Sequence, residues 1–282
     1  VNGEMVKVHD ARSYVICAAV CAVCLIFFSG LSVFTTKETV STKPAEKFSF
    51  KVKDYDKAQS MPGLDSEYRR KAVEGSIGRL EHKGNQIVFT PDVNGEVEIW
   101  KFPEEGKYYC IGADVAEGLI DGDYSVAYVG DDDFNICLRY RTHIDPDLFG
   151  GEIVKIAKFY NDAYVGVESN NHGGTTLRSI QEKDYWNIFF TKTYDKIADT
   201  VTKKIGWSTN NRTKPLMINK LAEYVRNKWI GIKDRILIQE MFTYVIEDNG
   251  STNAQTGCHD DTVMACAILL QVLLEGKGEN YD

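Results

Sequence analysis

Hydrophobic and polar positions divide the chain into three stretches of different character. Residues 13–36, "SYVICAAVCAVCLIFFSGLSVFTT", carry no charge, whereas residues 37–84 mix charged, polar and aromatic positions. From Gln86 onward the pattern becomes regular. "QIVFT" and "VEIWKF" flank "PDVNGE", a strand-turn-strand signal with Asn94-Gly95 in the turn. "KYYCIGADVAEG" (107–118) predicts an apolar strand ending at Asp114. "DYSVAYVGD" (123–131) and "FNICLRYRTH" (134–143) predict two more strands joined by an acidic turn, which makes a three-stranded antiparallel meander.

Helical spacing takes over in "DPDLFGGEIVKIAKFYND" (145–162), with Pro146 near its start and Ile153, Ile156, Ala157 and Tyr160 on one side. "AYVGVESNNHGG" (163–174) then predicts a strand that ends at Glu168 and runs into a glycine-rich turn. Two further helices are expected over 214–229 and 234–245. The last starts at Asp260, where Val263, Met264, Ala265, Ile268, Leu269, Val272 and Leu273 recur at three- and four-residue intervals. The order βββαβ followed by helices predicts an α/β fold. Residues 37–84 read as a linker with one docked helix from about Ser66, after a turn at Pro62-Gly63.

The uncharged run at 13–36 admits three readings, which the sequence leaves open. It is long enough to span a bilayer as a helix, between Asp10 and Arg12 on one side and Lys37 and Glu38 on the other. Cys17, Cys21 and Cys24 form a C-x3-C-x2-C cluster that would suit part of a zinc knuckle, with His9 as the nearby candidate for a fourth ligand. The third reading is an apolar segment that packs against another domain.

Composition narrows the function. The 282 residues carry a net charge of −8, which argues against a highly basic nucleic-acid coat protein. It leaves room for an enzyme that meets DNA through one local basic strip. Seven cysteines, an odd number scattered over predicted strands and helices, do not form a disulfide framework and point to a reducing, intracellular setting.

Four acids mark the ends of three core elements: Asp114 closes the first strand of the meander, Glu168 the strand after the helix, and Asp260 and Asp261 open the last helix. For the last pair, capping the helix N-terminus is the ordinary reading. The sharper reading is a metal site. Carboxylate oxygens are the natural ligands of Mg²⁺ or Mn²⁺, and two such ions activate a water and stabilise the leaving oxygen in phosphodiester cleavage. Without a cation, converging carboxylates would repel one another.

At these residues the chain resembles a known family. "YYCIGADVAEGLIDGDYSVAYVGD", "VGVESNNHGGTTL", "GWSTNNRTKPLMINKLAEYVRN", "ILIQEMFTYVIEDNG" and "GCHDDTVMACAILL", in that order, are similar to the nuclease domain of tailed-phage terminase large subunits over roughly residues 86–275. The resemblance implies a ribonuclease H-like mixed sheet, three antiparallel strands followed by parallel ones, flanked by helices. It also implies an endonuclease that uses two divalent cations, Mg²⁺ or Mn²⁺, to cut concatemeric double-stranded DNA during genome packaging. Asp114, Glu168 and Asp261 would be its metal ligands, with Asp260 as the adjacent rival to Asp261 and Asp123 as a supporting acid. His172 would position the Glu168 loop or a phosphate, and His259 would steady the neighbouring acids, although both are also ordinary loop residues.

The basic strip "KKIGWSTNNRTK" (203–214) brings Lys203, Lys204, Arg212 and Lys214, with Trp207 among them, as candidates to follow a DNA backbone with little sequence preference. The family further implies a packaging ATPase domain, a portal and a small terminase subunit as partners, and the host cytoplasm as location. The chain departs from a full terminase large subunit in holding no G-x-x-x-x-G-K-[ST] loop. The expected organisation is therefore an N-terminal segment or linker, 1–85, and a nuclease domain, 86–282. The nuclease is either a fragment or separately encoded. Two alternatives stand beside it. One is a Holliday-junction resolvase-like or transposase-like nuclease of the same fold, and the other is a membrane-anchored, non-enzymatic protein.

Overall fold

The computed structural model describes residues 61, 64–195, 200–246 and 252–276. The apolar run 13–36 and the Cys17, Cys21, Cys24 and His9 cluster lie outside the described residues. Among the described residues no helix is long and apolar enough to cross a membrane.

The first described helix is the docked one expected from the linker. α1 (Ser66–Lys71) is capped by Asp65, whose carboxylate accepts from the Glu67 and Tyr68 amides. Tyr68 is buried, and its hydroxyl donates to the Val225 carbonyl at 3.0 Å.

Seven strands form the central sheet: β1 (Ser76–Lys83), β2 (Gln86–Pro91), β3 (Val97–Ile99), β4 (Tyr109–Asp114), β5 (Ser125–Asp131), β6 (Ile136–Thr142) and β7 (Tyr164–Val167). Their lateral order is β2-β1-β3-β6-β5-β4-β7. β4, β5 and β6 form the expected antiparallel meander. β7 joins the edge of β4 in parallel, which needs a crossover, and α2 (Pro146–Phe159) supplies it.

Alternation along the meander separates two cores. Tyr109, Ile111, Ala113, Ala127 and Val129 face α2 and α3 (Gly173–Glu182). Cys110, Val126 and Tyr128 face the other layer, built from α4 (Thr213–Arg226), α5 (Arg235–Thr243) and α6 (Asp261–Gly276). Residues 261–274 of α6 are all buried, so this helix is the centre of its layer. It lies directly on the sheet at Gly112, where a Cβ would come within 2.1 Å of the Leu269 amide nitrogen and 2.3 Å of its Cα. A side chain there would push the helix away from β4.

Three local expectations change. The strands around Asn94-Gly95 do not pair with each other, because β1 lies between β2 and β3 and bonds to both. The tight turn joins β1 to β2 instead, and Gly84 takes a positive φ of 63° there. β1 was hidden in the linker because its burial is confined to Gly78 and Leu80, too little for an alternating signal. The glycine-rich segment after Glu168 becomes helix α3, whose buried side is made partly of Gly173, Thr176 and Ser179. The helix expected over 234–245 stops at Thr243, and Tyr244–Ile246 form β10, paired with β11 (Thr252–Ala254). The basic strip begins on a hairpin, β8 (Phe190–Asp195) and β9 (Thr200–Ile205).

Candidate metal centre

The parallel pairing of β7 with β4 decides where the first two acids meet. Asp114 is the last residue of β4, and Glu168 follows the last residue of β7. The Glu168 amide donates to the Ala113 carbonyl at 2.9 Å, which fixes the two carboxylates at adjoining strand ends. Asp114 Oδ1 accepts from the Val115 amide at 3.1 Å. Asn170 Nδ2 donates to Glu168 Oε1 at 3.3 Å and is itself held by the Thr209 carbonyl. Gly173 lets α3 start against this corner, since a Cβ there would overlap the Glu168 carbonyl oxygen at 1.6 Å.

The third acid arrives from the opposite layer. Asp261 opens α6 and is only 5% exposed. Its Oδ2 accepts from the Tyr124 amide at 3.0 Å, a bond across 137 residues that ties the helix N-terminus to the start of β5. Asp260 stands beside it, with Lys214 Nζ at 3.8 Å. The helix N-terminus is satisfied by a different group. Glu240 of α5, buried in the core, accepts from the Thr262 amide at 2.8 Å and from the Thr262 hydroxyl. Among the described residues, the capping role weighed for Asp260 and Asp261 is thus taken by Glu240.

These side chains line one open cleft of about 390 Å³, which gathers Asp114, Asp123, Glu168, Asp260, Asp261 and His172. His172 Nε2 lies 3.5 Å from the Glu117 carboxylate across the rim. His259 Nδ1 lies 3.4 Å from Asp123 Oδ1 and 3.7 Å from Asp261 Oδ2. Asp123, His259 and Asp261 each offer one ligand atom, all within 4.8 Å of one another. A second acidic group, Asp131, Asp132 and Asp133, sits at the other end of β5, where Lys101 Nζ holds Asp131 at 2.7 Å.

Electrostatics show what the cleft lacks. Burial, then the Glu168 carboxyl beside it, raises the Asp114 carboxyl well above its ordinary range. Burial pushes Asp261 up to about 6, against the opposing bond from the Tyr124 amide. Asp260 is raised too, by burial, although Lys214 pulls it down. One lysine, 3.8 Å from Asp260, does not neutralise four carboxylates. Oxygen donors with the His259 imidazole beside them, short of positive charge and open to solvent, suit a hard divalent cation.

The basic strip is only partly at this site. Lys214 reaches the cleft through Asp260. Lys203 and Lys204 are exposed on β9, and Arg212 is exposed just before α4. Trp207 turns inward instead: it packs against the core and its indole N–H points at Met217 Sδ at 3.2 Å. The strip is anchored to the acids all the same, because the Ser169 amide donates to the Trp207 carbonyl at 2.7 Å and the Trp207 amide to the Val167 carbonyl at 2.8 Å. Sequence reasoning missed Tyr124, Asn170 and Glu240. Of these only Glu240 left a signal, a carboxylate three residues after Leu237 on the apolar side of its helix.

No protein-family model matches the chain, and no curated protein does. Solved structures do. The large terminase nuclease of thermophilic phage G20c matches with a TM-score of 0.51 at 17% identity, over 75% of this chain and 98% of that one. Its magnesium-bound form matches with a TM-score of 0.52 at 17% identity, over the same shares of 75% and 98%. The large terminase nuclease domain of Thermus phage P74-26 matches with a TM-score of 0.50 at 17% identity, over 72% of this chain and 91% of that one. At such identity the likeness is one of fold, and the fold is ribonuclease H-like.

Proposed function

We propose that this chain is a metal-dependent DNA endonuclease of the phage terminase type, which cuts concatemeric double-stranded DNA during genome packaging. The observation that carries the reading is the convergence of Asp114, Glu168, Asp260 and Asp261 from two strand ends and a helix start into one cleft. The ribonuclease H-like fold shared with phage terminase nucleases supports it, as does the magnesium bound by one of them.

Asp114, Glu168 and Asp261 would hold two divalent cations, Mg²⁺ or Mn²⁺, with Asp260, Asp123 and His259 at their margin. When bound, such a pair supplies the Lewis acidity for hydrolysis of a phosphodiester. The chain's own part is positioning. The Tyr124 amide fixes one oxygen of Asp261, and Asn170 orients Glu168. Lys214 stands beside Asp260, whereas the Tyr124 amide holds Asp261 in place, so Asp261 is the pre-positioned ligand of the two. His172 and Glu117 form the rim over which the backbone enters. Lys203, Lys204, Arg212 and Lys214 supply charge for the phosphates on the side of the hairpin.

The division into a segment, 1–85, and a nuclease domain, 86–282, belongs to the same proposal, with β1 lent to the sheet of the domain. So do a packaging ATPase, a portal and a small terminase subunit as partners, in the host cytoplasm. The test is plasmid cleavage with Mn²⁺ by the wild type, Asp114→Ala and Asp261→Ala. Cutting by the wild type and by neither variant is expected. Equal cutting by all three would overturn the assignment. A four-way junction tested alongside should be cut no better than linear duplex.

A further inference from the structure

Behind Tyr124, which lines the cleft, stands a guanidinium that no ion pair among the described residues ties down, although the buried Glu240 carboxyl lies within its field. Val126 of β5 pairs with Arg141 of β6, and Ser125 with Thr142, so Tyr124 lies on the same side of the sheet as Arg141 and His143. The Arg141 guanidinium carbon sits 3.2 Å from the centre of the Tyr124 ring, and the His143 ring 3.7 Å from it. Arg141 Nε and His143 Nδ1 are both enclosed with no hydrogen-bond partner. Among the described residues the Arg141 side chain makes no ion pair. Arg139, two residues earlier on the same strand and the same side, is bonded to both Asp234 and Glu98. The sheet therefore supplies acids for one arginine and leaves its neighbour stacked, without an ion pair, on the ring of the residue whose amide holds Asp261.

A guanidinium that rests over an aromatic ring and has no acid partner can still make two parallel bonds through its outer nitrogens, the geometry that suits phosphate oxygens. We propose that Arg141 binds a backbone phosphate of the DNA on the Tyr124 side of the cleft, with Tyr124 as the platform that presents it. This rests on reading the cleft as a nuclease, and adds to it one positioning residue from outside the basic strip.

The experiment measures binding of the full chain to a labelled DNA duplex without divalent cation, across a range of KCl concentrations. It compares the wild type with Arg141→Gln, Arg141→Lys and a control, Arg79→Gln, whose arginine is already paired with Asp92 at 2.7 Å. Loss of one phosphate contact lowers the slope of log affinity against log salt by about 0.9 and weakens binding about tenfold near 0.1 M salt. Arg141→Gln should show both effects, and Arg79→Gln neither. Arg141→Lys should keep the slope but raise KM for plasmid cleavage in Mn²⁺, because a lysine cannot bind in two-pronged fashion. If Arg141→Gln melts early with slope and affinity unchanged, the arginine only packs on Tyr124 and the proposal falls. If that variant does not fold, a KM for Arg141→Lys equal to wild type overturns it. Wild-type protein that neither binds nor cuts DNA would instead overturn the nuclease reading itself.

Discussion

Glu240 shows how much one residue carries at this site. Its carboxylate is buried, receives both the amide and the hydroxyl of Thr262, and lies near Asp261. Burial raises it from 4.5 to about 7, although the bonds from Thr262 pull the other way. The folded protein then holds a proton between those two values that the unfolded chain releases. The resulting stabilisation is whole below pH 4.5 and is lost as pH rises through 7. At about 1.4 kcal/mol per pH unit this is worth on the order of 3 kcal/mol. Glu240→Gln keeps an acceptor for Thr262 and removes the charge. Thermal melts of the metal-free protein should find it more stable than wild type at pH 8, with the gap closing by pH 5. A gap that stays constant with pH would mean that Glu240 is ionised throughout and acts only as a cap.

At the scale of elements, the site depends on α6 lying directly on the sheet. Gly112 makes that possible, and the atoms its Cβ would strike belong to the backbone of Leu269. Gly112→Ala must therefore lift the helix, at a cost of about 1–3 kcal/mol or more, and move Asp261 relative to Asp114. The melting temperature and cleavage should fall together. Shortening Leu269 to alanine should not rescue either, since its amide nitrogen and Cα remain. Rescue would show that the contact is side-chain packing after all.

This dependence also explains what could be read in advance. The meander, α2, β7 and α6 carry strong apolar periods, and the acids at their ends stand out against those runs. β1 and α3 do not, because β1 buries only Gly78 and Leu80 and α3 packs with glycine, threonine and serine. The Asn94-Gly95 signal marked a real turn but could not say which strands it joins, since the intervening β1 had no signal. The ring of Tyr124, the amide that holds Asp261 and the carboxylate that caps α6 depend on contacts across 137 and 22 residues, which no local pattern encodes.

Across the whole molecule, the fold concentrates negative charge that it does not itself compensate. Asp131 has Lys101, and Asp234 has Arg139, but Asp114, Glu168 and Asp261 face one another in the cleft. A charged cleft of this kind opposes folding until a cation enters. Asp261→Asn keeps the shape of the side chain and an acceptor for the Tyr124 amide while removing one charge. In EDTA at pH 8 it should melt above the wild type. The rise of Asp261 from 3.8 to about 6 sets the scale at on the order of 3 kcal/mol, at about 1.4 kcal/mol per pH unit. Saturating Mn²⁺ should then reverse the order, because a ligand at about a thousand times its Kd adds about 4.1 kcal/mol to the protein that binds it. Asp114→Asn should behave alike, its carboxyl being raised by burial and then by Glu168, Asp261 and Asp260. If either variant melts below wild type in EDTA and gains as much from Mn²⁺, the carboxylates are structural and the cations bind elsewhere. The crossing of the two melting orders is thus a test of the site that does not depend on seeing DNA cut.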